Sequence, residues 1–328
     1  MGQAMEAAAT ARRRVAPRPW VGAVVVPADA PDHPGVIGAT DGRSGPHAEV
    51  VALAAAGPAA AGSTLYVTLE PCSHHGLTAP CADAVIAAGV ARVVVAIADP
   101  DPRVAGQGIE RLRAAGIHVD LGTCAAAVEA QLAPYLHHRR TGRPHVVLKL
   151  AASLDGRTAA PDGTSQWITG AEARLDVHRL RADSDAILVG AGTVRADDPA
   201  LTVRLPEGER GADDTEPLRV VLGSAPADAA IRPCLEMSGD LGTILDELGA
   251  RGVLQLMVEG GPTVATAFLR AGLVDRTVLY LAPMLFGGDD GLPLFTGAGA
   301  PSIDAVRRGR IVEIRRVGDD LRLDLEGM

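Results

Sequence analysis

His47-Ala48-Glu49, Pro71-Cys72 and Cys81 are the residues of this 328-residue chain whose types and spacing could do chemistry. One imidazole and two thiolates make a three-ligand set for zinc, leaving the fourth tetrahedral position to water. A water held there acidifies toward neutrality and becomes a nucleophile. Glu49 lies two residues beyond His47, near the start of a helix expected over His47–Ala56. From that position it reaches the water rather than the metal, and can shuttle a proton to a leaving amine. Cys72 ends an expected strand, and Cys81 opens the next expected helix, where the N-terminus favours a thiolate. Two blander readings stay open. One is a structural zinc with a fourth protein ligand, for which His74 and His75 are nearest; the other is two buried cysteines without metal.

The second half carries two glycine-bearing turns. Ala186–Val189 reads as a buried strand running into Gly190-Ala191-Gly192-Thr193, and Leu254–Val258 runs into Glu259-Gly260-Gly261-Pro262-Thr263. Exposed backbone amides at a helix N-terminus suit a phosphate or pyrophosphate. Two such turns at strand ends, where α/β sheets bind ligands, argue for a dinucleotide. Arg195 stands in the place of a third glycine, so this is not a Rossmann fingerprint. Taken alone, these segments also read as structural turns.

These residues need elements to position them. Strands are expected at Val21–Val26, Thr64–Leu69, Arg92–Ala98 and Ile117–Leu121, with helices at His47–Ala56, Cys81–Ala88, near Gly108–Ala115 and from about Ala125 to His138. Strands separated by helices predict an α/β layer sandwich with a largely parallel sheet. Thr141-Gly142-Arg143-Pro144 is turn chemistry and sets a boundary between domains at 1–143 and 144–328. Beyond it, strands are expected at His145–Ala151, Ala186–Val189, Arg219–Leu222, Leu254–Val258 and Thr277–Leu281. Helices are expected at Ala171–Arg181, Leu241–Leu248 and Pro262–Arg270. Leu205–Pro217 reads as an exposed loop and Ile311–Leu325 as a terminal hairpin around Gly318-Asp319-Asp320.

Composition narrows the partners. A formal charge of −9 offers no general reason to bind nucleic acid or an anionic membrane. No segment approaches the ~20 apolar residues of a membrane span, and Met1–Pro17, with Arg12–Arg14 after a short Ala-rich run, is not patterned as a signal peptide. Four scattered cysteines make no disulfide scaffold. A cytoplasmic enzyme is expected. Aromatics are 2% of the chain, so Trp20 stands out beside the first site, either stacking on a ligand or simply packing. His137-His138-Arg139-Arg140 reads as cations completing a helix C-terminus.

Eight residues separate Cys72 from Cys81, where the general zinc-deaminase signature, H-x-E then P-C-x-x-C, has about two. This wide form, with Thr68-Leu69-Glu70 before it and Ala98-Asp99-Pro100 and Val104-Ala105-Gly106 after it, resembles the bifunctional deaminase/reductase of riboflavin biosynthesis. Lys149–Arg157, Ser165–Thr169, Leu180-Arg181-Ala182, Gly190–Thr193, Asp197-Asp198-Pro199, Leu201–Arg204 and Glu259–Thr263 resemble its reductase half. The resemblance implies a cytidine-deaminase-like three-layer sandwich followed by a dihydrofolate-reductase-like domain. It implies deamination of a phosphoribosylaminopyrimidine, with zinc on His47, Cys72 and Cys81 and Glu49 as the proton shuttle. NADPH reduction of the ribosyl group to ribityl would follow. Ala151, Trp167, Thr193, Asp197, Ser224 and Gly261, Pro262, Thr263, Val264, Ala265, Thr266 and Ala267 would contact the cofactor, and Ser165, Arg181, Leu201, Arg204 and Glu259 the substrate. A homo-oligomer assembled through the reductase sheet is also implied. The chain departs from the family pattern at Pro17-Arg18-Pro19, where Asn is usual between the prolines. It departs again in the shortened Gly38–Gly42 segment and at Leu77, where a cation is usual. An alternative follows from these departures, in which only the reductase works and the first domain is a zinc-stabilised scaffold.

Overall fold

A computed structural model describes residues 1–30, 32–74, 79–101 and 104–327, which fall into two compact units, Met1–Gly142 and Arg143–Met328. The first opens with α1 (Gly2–Val15), a helix the apolar periodicity does not announce. Its buried face is Ala4, Ala7, Ala8, Ala11, Arg12 and Val15, side chains mostly too small to mark a stripe. There follow β1 (Gly22–Val26), β2 (Val36–Ala39), α2 (Ala48–Ala56), β3 (Thr64–Leu69), α3 (Cys81–Ala87), β4 (Arg92–Ile97), α4 (Gln107–Ala114) and β5 (His118–Leu121). The expected helix over 125–138 is two, α5 (Ala125–Gln131) and α6 (Ala133–Thr141). Pro134 lies in the first turn of α6, where a missing N–H costs nothing.

The sheet runs β2-β1-β3-β4-β5. β1 is antiparallel to both its neighbours, whereas β3, β4 and β5 are parallel. Two glycines set the layers. A Cβ on Gly22 would collide with the Ala4 carbonyl of α1, and one on Gly38 with the Ala48 carbonyl of α2. Gly22 pairs with Ala39 and Ala23 with Gly38, so the two glycines face opposite sides of the pleat. Hence α1 and α2 cover opposite faces, and the unit is the three-layer sandwich expected.

The second unit contains β6 (His145–Ser153), β7 (Arg157–Ala159), α7 (Ala171–Ala182), β8 (Ala186–Gly190), α8 (Ala191–Asp197), β9 (Leu218–Leu222), β10 (Leu235–Met237) and α9 (Leu241–Ala250). It continues with β11 (Gln255–Val258), α10 (Pro262–Arg270), β12 (Arg276–Ala282), β13 (Leu292–Pro293), β14 (Arg310–Val317) and β15 (Asp320–Glu326). Its main sheet is ordered β10-β9-β8-β11-β6-β12-β15-β14, parallel as far as β12 and antiparallel through the terminal hairpin. Alternate residues feed two cores. Val146, Leu148, Leu188, Val220 and Leu256 pack with α9 and α10, while Val147, Ile187, Val189, Val221 and Met257 pack with α7 and α8. Strands buried on both faces explain the continuous apolar runs. Helix α8, where a Gly-x-Gly turn was expected, starts directly after β8 at Gly190.

Candidate active sites

In the first unit, His47, Cys72 and Cys81 converge, with one ligand atom from each lying within 4.8 Å of the others. His47 Nδ1 is 3.0 Å from Cys81 Sγ and 3.6 Å from Cys72 Sγ. Tetrahedral zinc separates a nitrogen and a sulfur ligand by about 3.6 Å, so the set fits that ion. His47 caps α2 and Cys81 begins α3; the Cys81 N–H donates to Cys72 Sγ at 3.3 Å. In the bare protein the hydrogen bond with the Cys81 thiol pushes Cys72 down to about 4, while the same bond and burial push Cys81 up. Among the described residues no fourth side chain joins the cluster. His74 stays outside it, and His75 and Leu77 lie outside the described residues.

Glu49, in the first turn of α2, is 3% exposed. Burial raises its carboxyl above the ordinary range, the direction needed by a group that must both take and return a proton near neutrality. It lines a cavity of about 60 Å³ with His47, Cys72, Arg18, Glu70 and Asp99. Glu70 was read in the sequence only as part of a motif, without a role, yet its buried carboxylate accepts from the backbone N–H groups of Asp99, Gly106, Gly108 and Ile109 at 2.9–3.3 Å. It thereby ties the end of β4 and the start of α4 to the strand end that presents Cys72. Asp99 accepts from the buried Tyr135 hydroxyl at 3.1 Å, and burial raises its carboxyl. Trp20 packs rather than stacks: it is 2% exposed, with the Arg12 guanidinium 4.0 Å from its ring.

The second unit holds a cleft of about 740 Å³ at the ends of β6, β8 and β11. Of the residues expected at a cofactor, Ala151, Thr193, Asp197, Gly261, Pro262, Thr263 and Val264 line it, as do Ser165 and Glu259 from the substrate set. Trp167 is 64% exposed with Arg174 over its ring at 4.4 Å, and does not line the cleft. Neither does Ser224 or Ala267. Ala265 is buried in the core, and the Thr266 hydroxyl accepts from the Thr296 N–H at 2.8 Å. Leu201 is buried with a positive φ of 49°. Arg181 makes a fork-to-fork pair with Glu259 at 2.6 and 2.9 Å. Arg204 is exposed beside His178, 3.4 Å from its Nε2.

Lys149 and Arg195 also line the cleft and were missed as site residues. The signal for Lys149 was a lysine inside an apolar strand. Its ammonium lies 3.9 Å from Glu259, and burial lowers its pKa. Burial alone would raise Glu259, but the Arg181 charge and hydrogen bonds outweigh it and hold the carboxylate below its ordinary range.

A metal-fitting trio with an independent buried carboxylate, and a glycine-edged cleft in a second α/β unit, define a two-unit enzyme pairing a deaminase with a reductase. The profile of the cytidine and deoxycytidylate deaminase zinc-binding region matches residues 1–97, and that of the RibD C-terminal domain matches residues 144–323. The chain belongs to the RibD family of riboflavin biosynthesis proteins. It is 45% identical to riboflavin biosynthesis protein RibD of Mycobacterium tuberculosis, over 99% of this chain and 96% of that one. It is 41% identical to that of Escherichia coli, over 100% and 98%. Among solved structures, Acinetobacter baumannii RibD aligns with a TM-score of 0.92 at 36% identity, covering 100% of this chain and 97% of the other. A Thermotoga maritima protein described as a diaminohydroxyphosphoribosylaminopyrimidine deaminase/5-amino-6-(5-phosphoribosylamino)uracil reductase aligns at 0.88 and 32%, over 100% and 97%.

Proposed function

We propose that residues 1–143 form a zinc-dependent pyrimidine deaminase and residues 144–328 an NADPH-dependent reductase. They act in succession on one phosphoribosylaminopyrimidine of the riboflavin pathway. The substrate is 2,5-diamino-6-(5-phosphoribosylamino)pyrimidin-4-one, and the deaminated product is the reductase's substrate. The observation that carries the reading is Glu49: a buried carboxylate outside the His47, Cys72, Cys81 trio but lining the same cavity. Zinc on that trio would supply Lewis acidity toward water. Glu49 takes the proton from the attacking water and delivers it to the departing amino nitrogen, and its raised pKa suits both transfers.

NADPH bound in the second unit's cleft would supply hydride to the first carbon of the opened sugar. Gly261, Pro262 and Thr263 at the start of α10, together with Thr193 and Asp197 of α8, support a pyrophosphate and ribose subsite. Ala151, Trp167, Ser224 and Val264–Ala267 complete the proposed cofactor set. Arg195 is the exposed cation of the cleft that a 2′-phosphate would meet, which favours NADPH over NADH. Ser165, Arg181, Leu201, Arg204 and Glu259 form the proposed substrate set. Arg204, with no carboxylate partner among the described residues, suits the substrate phosphate. Arg181 is committed to Glu259 and orients it. Lys149 stands where it can give a proton as the sugar ring opens.

Four unpaired cysteines support a reducing compartment, hence the cytoplasm. The outward edge strand β14, with Ile311 and Ile314 exposed, supports assembly into a homo-oligomer. The test supplies the diaminopyrimidine and NADPH to purified protein and follows ammonia and NADPH. Each substrate is expected to yield one ammonia and oxidise one NADPH. Glu49→Gln is expected to keep its zinc and lower ammonia release by about 10²–10⁴-fold. Undiminished release would overturn Glu49 as the shuttle.

A further inference from the structure

Arg18 is a basic side chain lining the first unit's cavity, whose other charged groups are Glu49, Glu70, Asp99 and the metal-ligating side chains. Its guanidinium is fixed from one side only. Nη1 donates to the carbonyls of Gly42 at 3.1 Å and Gly45 at 2.9 Å. Those carbonyls belong to a tight turn that the Asp41 N–H closes onto the Pro46 carbonyl at 3.0 Å. A Cβ on Gly45 would collide with Asp41, so the turn has little freedom to shift. At the other end of the residue, the Arg18 N–H donates to the Val15 carbonyl at 2.9 Å, which fixes the root of the side chain to the end of α1. Nε and Nη2 make no hydrogen bond among the described residues. An arginine held this way keeps two parallel N–H donors, on Nε and Nη2, without a partner beside the cavity it lines, with most of its rotamer entropy already lost before binding.

We propose that Arg18 is the specificity-determining residue of the deaminase site, holding the substrate through an acceptor edge of its pyrimidinone ring. The inference rests on the deaminase reading of this unit. Two acceptors are available on the substrate, the ring edge and the phosphate, and position decides between them. Arg18 shares its cavity with His47, Cys72 and Glu49, so it lies beside the reacting carbon and not at the far end of the ribose. The cavity, at about 60 Å³, is of a size for part of a flat ring, and a phosphorylated sugar would extend beyond it. A site that offers donors to a ring oxygen or nitrogen discriminates against rings lacking the acceptor, because Nε and Nη2 of the half-buried guanidinium are then left without a partner.

The experiment measures binding and turnover separately, with the diaminopyrimidine in its 5′-phosphorylated and dephosphorylated forms. Binding is read by calorimetry in a Glu49→Gln background, and turnover by ammonia release in the otherwise unaltered protein. Arg18→Ala and Arg18→Lys are compared, with zinc per chain confirming an intact site. Arg18→Ala is expected to weaken binding and raise KM at least tenfold for both forms of the substrate. Arg18→Lys is expected to fall between it and the parent, because an ammonium has no planar fork. A penalty confined to the phosphorylated form would make Arg18 a phosphate contact and overturn the proposal, as would unchanged binding in Arg18→Ala with zinc retained. Arg18-dependent binding without any ammonia release in the parent would instead overturn the deaminase reading and leave the contact standing.

Discussion

Glu70 serves four backbone amides with one carboxylate, and no water or charged partner is needed to satisfy it. An amide in its place keeps one acceptor oxygen and turns an N–H₂ toward donors. Glu70→Gln is therefore expected to destabilise the first unit by about 1–3 kcal/mol. It should also lower zinc retention during dialysis, since Cys72 lies two residues along. Gly108 belongs to the same joint: a Cβ there would collide with the Pro71 carbonyl. Gly108→Ala should likewise lose zinc, measured as metal per chain against the thermal midpoint. At this scale the convergence of His47, Cys72 and Cys81 beside Glu49 was legible, because residue type and short spacing announce it. Glu70, Tyr135 and Lys149 were not. Their work depends on partners 29 to 110 positions away: Asp99 for Glu70 and Tyr135, and Glu259 for Lys149.

Elements whose burial is two-sided or strictly alternating could be read from the chain: β1, β3, β6, β8, β11, β12 and the terminal hairpin. Those held by backbone proximity or by charge could not. Helix α1 is one, and the short edge strands β2, β7, β10 and β13 are others. The hairpin's attachment is ionic in a way the pattern does not reveal. Asp176 of α7 accepts from the Tyr280 hydroxyl of β12 at 2.6 Å and from Arg322 of β15 at 2.8 Å. Asp324, fully buried, pairs with both Arg322 and Arg276. Replacing Asp324 leaves Arg276 without its carboxylate and Arg322 with Asp176 alone, all in the same buried joint. Asp324→Asn is expected to destabilise the second unit by about 3–5 kcal/mol, read as a lowered calorimetric transition with zinc content unchanged.

For the molecule as a whole, two units with separate cores imply two separable responses. Chelation of zinc should abolish ammonia release and lower the stability of the first unit, while the deaminated substrate still drives NADPH oxidation. Trp20, buried in the first unit, provides the optical probe once Trp167→Phe removes the only other tryptophan. Acid should act oppositely, on the second unit. Burial alone would raise Glu259, Asp176 and Asp324, but their arginine partners, and for Asp176 the Tyr280 hydroxyl, hold all three below the ordinary range. Their contribution is therefore complete above the unfolded carboxylate pKa of about 4 and disappears as pH falls through the lower folded values. Burial and the nearby Arg181 and Arg204 lower the His178 pKa, so denaturant melts of that unit should weaken gently as pH falls below about 6.5 and steeply from about 4 toward 2–3; a midpoint insensitive to acid would contradict this. The way α1 lies flush on Gly22 has its own reach. Any alanine on its inner face that drifts to a bulkier residue lifts the helix, and with it the carbonyl of Val15 that anchors Arg18. A saturation library selected for ammonia release should thus show a stripe of intolerance along Ala4, Ala7, Ala8 and Ala11, residues that bear no reactive group at all.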